Sequence, residues 1–128
     1  MTKIPIEPGL RVYIAGALSS KEKDKRNPSK VVTDYIMNVS RMCRIAGIVR
    51  KAGHYPYVPA LDLLIGVVDG GFIEEDYRGI GMAFLEVCDA VLVISKSYGV
   101  EQEIARAKEL GIPVFYKLLD IMPEAGVK

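Results

Sequence analysis

The chain has no tryptophan, a single histidine (His54) and only two cysteines, Cys43 and Cys88, in 128 residues. One histidine and two widely separated thiols supply neither the short Cys/His spacing of a zinc site nor a disulfide framework. Each cysteine falls inside an apolar helical pattern, so both are expected as small buried hydrophobes. Charge of one sign is missing too. Lys and Arg number 17 against 16 Asp and Glu, a net charge of +1, which offers no field for nucleic acid or an anionic membrane. No apolar run approaches membrane-spanning length, and Met1 to Leu10 is too short an apolar stretch for a signal peptide. A cytosolic protein is therefore expected, with no metal, no cofactor, no nucleic-acid partner and no membrane partner.

What is present is an alternation of short β-rich runs and helical patterns. Arg11 to Ile14 is a strand leading into Ala15-Gly16, and Tyr55 to Val58 is a second strand closed by Pro59. Ala90 to Ile94 is a third; its unbroken apolar character suits a parallel sheet buried on both faces. Pro113 to Lys117 is the fourth. Between them, helical spacing runs from about Ser29 to Ala52, with Gly53 as the stop, and again over Leu61 to Val68. A further helix spans Ile73 to Val87, where Ile73, Tyr77, Ile80, Phe84 and Val87 trace an apolar stripe expected to face the core. A last one runs from Val100 to Leu110 and ends at Gly111.

This alternation over a one-domain length gives a three-layer, doubly wound α/β domain of flavodoxin-like form. Its parallel sheet has four or five strands, and the right-handed crossover rule favours the order 2-1-3-4(-5). The strand at Arg11 and the strand at Ala90 are then neighbours whose helices lie on opposite faces. The crevice at their carboxyl ends is where such a sheet takes its ligand.

Two loops converge there. The first follows Tyr13 and carries Ala15, Gly16, Ala17 and Ser19; the second carries Ser95, Ser97, Gly99, Glu101 and Glu103. Gly16 and Gly99 either admit a ligand close to the backbone or supply a positive φ. Ser97 is placed to cap the following helix, and its hydroxyl is equally suited to hold a ligand hydroxyl or phosphate. Glu101 and Glu103 point about 200° apart on a helix, so only one faces the crevice. Glu103, in the expected first helical turn, would be held ionised by the helix dipole. The mixed-charge run Lys21 to Arg26 reads either as a solvated face or as a lid.

Taken together, Arg11-Val12-Tyr13-Ile14-Ala15-Gly16, Cys88-Asp89-Ala90-Val91-Leu92-Val93, Ser97-x-Gly99-x-x-x-Glu103 and Gly111-Ile112-Pro113-Val114 resemble the nucleoside 2-deoxyribosyltransferase superfamily. Asn38-x-x-Arg41, leading to Ala46, Gly53 and Pro59, is similar to its small phage and bacterial branch. The resemblance implies cleavage or transfer at the N-glycosidic bond of a deoxynucleoside or its 5′-monophosphate. Glu103 would be the nucleophile at the anomeric carbon, Tyr13 would orient it, and Ser97 would hold the 5′ end of the sugar. Ala15, Gly16, Ala17, Ser19 and Gly99 would complete the substrate site, with Tyr55, Tyr57 and Pro59 near the base. Family members pair through helices, so a homodimer or higher homo-oligomer is expected, with Asn38 and Arg41 as candidate contacts.

Two positions depart from the family pattern. Gly81, eight residues before Asp89, stands where the family carries an aspartate that helps protonate the leaving base. Ser19 stands where the monophosphate-specific branch has an arginine. Tyr77 and Glu74 are the nearest upstream substitutes for the missing acid. The alternative function is a nucleotide-binding or sensor module that keeps the pocket without catalysis. His54 falls at the end of a strand away from the crevice and is expected as an edge or cap residue.

Overall fold

The computed structural model describes residues 6–18 and 27–123. Four strands, Arg11–Ala15 (β1), Tyr55–Tyr57 (β2), Ala90–Val93 (β3) and Val114–Phe115 (β4), form one parallel sheet in the order β2-β1-β3-β4. The expected order holds, in its four-stranded form among the described residues. The last strand is shorter than its apolar run, because the chain turns away after Phe115 toward a 3-10 turn at Leu118–Ile121.

Side-chain alternation along the strands makes two cores. Tyr13, Ala15, Val91 and Val93 face helices Glu74–Leu85 (α3) and Tyr98–Glu109 (α4), meeting Leu85, Val100, Ile104 and Ala107. Val12, Ile14 and Leu92 face the opposite way, onto Met42 and Val49 of helix Pro28–Lys51 (α1) and onto Ile121. The helices that follow β1 and β3 therefore lie on opposite faces, in a flavodoxin-like three-layer arrangement. Helix Asp62–Asp69 (α2) follows β2, is tied to it by the Tyr57–Asp62 hydrogen bond and packs Gly66 against Tyr77 of α3. No helix among the described residues is long and apolar enough to cross a membrane.

The apolar stripe expected inside α3 is covered only in part: Tyr77 and Ile80 are half-buried, and Phe84 stacks one ring face on Tyr57. Ile73, Phe84 and Val87 are 59%, 50% and 53% exposed, whereas Gly81 and Leu85 are buried. The helix is rotated so that its smallest residue meets the sheet where a tyrosine stands up from it: a Cβ on Gly81 would lie 3.1 Å from Tyr13 Oη. In α1 only the second half lies over the sheet, which leaves Val32 and Ile36 exposed. Cys88 is buried as expected, but Cys43 is exposed, because it points away from the Met42–Val49 seam.

The amino-terminal edge of the sheet is held by polar contacts. Arg11 grips Asp89 through Nε and Nη2, and its backbone N–H adds a third bond to Oδ2 at 2.8 Å. These contacts hold the Asp89 carboxyl below the usual aspartate range. His54 is buried; its Nδ1 accepts from Leu10 N–H, and its Nε2 lies 2.6 Å from the Ile121 carbonyl oxygen. The first bond leaves Nε2 as the donor, so a neutral imidazole ties the entry of β1 to the 3-10 turn.

Helix α2 and helix α3 meet through a glycine. A Cβ on Gly66 would sit 1.7 Å from the Tyr77 hydroxyl oxygen, so a methyl group there has no space unless Tyr77 moves. Gly66→Ala is expected to lower unfolding stability in urea by about 1–3 kcal/mol, despite the better helix propensity of alanine. A stability gain would show that the two helices are free to part.

Candidate active site

The carboxyl ends of β1 and β3 are tied together before either loop departs. Ile94 N–H donates to the Ala15 carbonyl, and Ala17 N–H donates to Ser95 Oγ, both at 2.8 Å. Asn38 of α1 donates from Nδ2 to the Leu18 carbonyl at 3.0 Å and so fixes the first loop. These bonds set the floor of a cleft of about 570 Å³, within the usual range for small-molecule sites.

Tyr13 rises from β1 into this floor, and Glu103 comes down to it from α4. The phenol donates a short hydrogen bond to Glu103 Oε2. Burial, then the adjacent Glu103 carboxylate, push the Tyr13 hydroxyl far above the ordinary tyrosine range, so its proton stays in that bond. Burial also raises the Glu103 carboxyl, and the Tyr13 hydrogen bond opposes that rise. No bond to Glu103 Oε1 forms among the described residues. A carboxylate with one oxygen pinned and the other facing a cleft has the arrangement of a positioned nucleophile or base.

Helix α4 starts at Tyr98, two residues before the expected start. Glu103 thus falls in the second turn, and the first-turn acid is Glu101, which is exposed. The helix dipole fades within the first turn, so Tyr13, rather than the dipole, is the group that favours the ionised carboxylate.

The other sequence candidates divide. Gly16, Ser97 and Gly99 line the cleft beside Tyr13 and Glu103. Ser97 also caps α4, its Oγ accepting from Val100 N–H at 3.2 Å. Neither Gly16 nor Gly99 has a positive φ. Gly16 is required by contact instead, since a Cβ there would lie 2.9 Å from Met42 Sδ. Ala15 is fully buried between strands and its side chain joins the core, so it frames the site without lining it. Ala17 has its N–H committed to Ser95 and does not line the cleft. Ser19 and the charged run through Arg26 lie outside the described residues.

Near the base side, Pro59 lines the cleft, but Tyr57 supports it from behind. Its ring packs 5.6 Å from Tyr13 and 5.0 Å from Phe84, and its hydroxyl donates to Asp62 Oδ2 at 2.6 Å. Tyr55 is 67% exposed. Residues not foreseen are Arg78 and Gln102. Arg78 is the one Lys, Arg or His lining the cleft among the described residues, and it pairs with Glu74 at 3.1 Å. Its three-residue spacing from Gly81 was the available signal, since that spacing places both on one helix face. Among the described residues, no group of three or more His, Cys, Asp or Glu is placed to hold a metal ion.

A family model described as "Domain of unknown function (DUF7768)" matches residues 12–117, most of the chain. The chain belongs to the DUF7768 family. No curated protein and no solved structure matches it. The matched span of this DUF7768 domain holds Tyr13, Ser97, Gly99 and Glu103, so the whole cleft floor lies within the family fold.

The electrostatics of Glu103 carry a stability consequence. A carboxyl raised in the folded state loses stability as pH climbs from its unfolded value, about 4.3, through its folded one. Glu103→Gln keeps an acceptor for Tyr13 and removes the charge. Its melting temperature is expected to exceed the wild type's at pH 8, with the gap closing as the pH falls toward 4. A gap that stays constant across this range would mean that Glu103 is not a desolvated carboxylate.

Proposed function

We propose that this protein cleaves or transfers at the N-glycosidic bond of a nucleoside, deoxynucleoside or 5′-monophosphate, with Glu103 as nucleophile. The observation that carries the reading is the Tyr13–Glu103 hydrogen bond on the floor of the cleft at the strand tips. Glu103 Oε1 attacks the anomeric carbon while the bond to the base nitrogen breaks. Tyr13 holds Oε2 throughout, which fixes the attacking lone pair beneath the sugar ring. A buried anion there stabilises the oxocarbenium-like transition state, as the nucleophile does in retaining glycosidases. The glycosyl ester is then resolved by water or a second base. Ser97 and the amino end of α4 face the same cleft and suit the 5′ end of the sugar. Such a substrate is consistent with a cytosolic protein.

A second reading is favoured by Gly81, whose bare backbone faces Tyr13 where an acid would assist departure of the base. In that reading the cleft binds a nucleotide without turning it over. Incubation with a panel of deoxynucleosides and monophosphates separates the two. Catalysis predicts free base from the wild type, at least about 10³-fold less from Glu103→Ala, and about 10- to 100-fold less from Tyr13→Phe. Equal release by wild type and Glu103→Ala refutes the nucleophile. Binding alone predicts a stabilisation of about 2.7 kcal/mol at a hundred times the dissociation constant, with no base released.

We also propose that a second copy of the chain covers the apolar face beside the cleft. Leu64, Val67 and Val68 of α2 are 67%, 69% and 79% exposed. A net charge of +1 sets up little repulsion between copies, and each valine or leucine buried contributes about 1.5–3 kcal/mol. Sedimentation is expected to give a dimer that Val68→Glu converts to monomer. A wild-type monomer at all concentrations rules the dimer out.

A further inference from the structure

We infer that the departing base leaves as an unprotonated anion whose charge is taken by Arg78. The site is then selective for bases bearing a carbonyl oxygen next to an acidic glycosidic nitrogen. This inference rests on the glycosidic reading above and names its substrate class.

The argument is an inventory of the protons available in the cleft. Its ionisable lining among the described residues is Tyr13, Glu74, Tyr77, Arg78 and Glu103. The Tyr13 proton is committed to Glu103 and held there by burial. Tyr77 packs its hydroxyl against the backbone of α2, 1.7 Å from where a Gly66 Cβ would stand. Glu74 is 82% exposed at its side chain and is engaged by Arg78 as a carboxylate. Gly81, where a Cβ would lie 3.1 Å from Tyr13 Oη, has no side chain. No described group is poised to donate a proton to the base, and such donation commonly contributes 10²–10⁴-fold.

A cation is nevertheless within reach. Arg78 precedes Gly81 by three residues, so the two side-chain positions lie about 5–6 Å apart on one face of α3. Glu74 engages one terminal nitrogen, Nη2, of a guanidinium with five N–H donors, and exposed pairs of this kind hold weakly. Among the described residues the rest of the fork has no partner, which leaves it for a ligand. As Glu103 Oε1 bonds to the anomeric carbon, the electron pair of the glycosidic bond passes to the base nitrogen. In uracil or thymine it delocalises from the base nitrogen onto the adjacent ring carbonyl, and Arg78 donates to that oxygen. Hydrolysis of the glycosyl ester by water regenerates the Glu103 carboxylate and releases one proton, which the base anion takes up in solution.

A site of this kind is governed by the acidity of the base. The decisive experiment measures kcat and KM for 2′-deoxyuridine, its 5-fluoro and 5-bromo derivatives, thymidine and 2′-deoxyadenosine. The full chain is compared with Arg78→Gln and Gly81→Asp. In the wild type, kcat/KM is expected to rise roughly five- to tenfold for each tenfold gain in acidity along the uracil series, mostly in kcat. Arg78→Gln lowers the uracil series about 10- to 100-fold and leaves 2′-deoxyadenosine within about threefold. Gly81→Asp flattens the dependence by supplying an acid. Glu103-dependent release with a flat acidity profile, or equal loss for every base in Arg78→Gln, overturns the inference and leaves the glycosidic reading standing. If no base is released from any substrate, both fall. Should Gly81→Asp not fold, the wild-type series and Arg78→Gln decide alone.

Discussion

The site depends on one hydrogen bond between a buried phenol and a half-buried carboxylate on the floor of the cleft. Tyr13 and Glu103 are 90 residues apart and meet only because β1 and β3 are adjacent, parallel and in register from Val12 with Ala90 to Ala15 with Val93. Burial alone would push Glu103 toward its neutral form, which is a poor nucleophile. A donor that cannot give up its proton is the counterweight. Tyr13 qualifies because the same burial, with the carboxylate beside it, holds its proton in place. Each partner thus fixes the protonation of the other.

Room for this pair is made by missing side chains. Gly81 passes Tyr13 Oη with no Cβ, Gly16 passes the Met42 sulfur, and Gly66 passes the Tyr77 hydroxyl. A Cβ would be blocked outright at Gly66, would displace the flexible Met42 side chain at Gly16 and would crowd the Tyr13 hydroxyl at Gly81, and the three contacts stand around the same cleft. The pocket is a consequence of packing, since its walls are elements drawn together at positions without side chains.

The strands were legible because four β-rich or apolar runs, separated by helical patterns, admit few right-handed parallel arrangements. The strand order brings the ends of β1 and β3, and with them Tyr13, Ser97 and Glu103, to one crevice, while the choice of Glu103 over Glu101 rested on the family resemblance. What periodicity could not show was the rotation of α3. Ile73, Tyr77, Ile80, Phe84 and Val87 form a regular apolar stripe, yet Ile73, Phe84 and Val87 stay half or more exposed, because the sheet beneath presents Tyr13 and accepts glycine and leucine there. The same misplacement hid Arg78, which reads as a solvated charge until Gly81 is known to face inward. The position of Glu103 within α4 was misjudged for a different reason. Tyr98 and Gly99 look like loop residues, but Ser97 caps a helix that already includes them.

The Arg11–Asp89 contacts and the cleft occupy opposite ends of the sheet, and their carboxyl groups respond to pH in opposite directions. At the amino-terminal edge the Arg11 contacts lower the Asp89 carboxyl, so its contribution is present above the usual aspartate range and fades as the pH falls through the lowered value. That carboxylate is partly exposed, so solvent limits its worth. At the carboxyl-terminal edge Glu103 is raised, so its cost appears as the pH rises and vanishes in acid. A rise in pH therefore favours the fold at one end of the sheet and costs it at the other, where the tie between β1 and β3 through Ile94 and Ser95 holds the cleft floor together. The end of the sheet that bears the cost is the end that holds the cleft, and a perturbed carboxyl lining a cleft marks a candidate functional site.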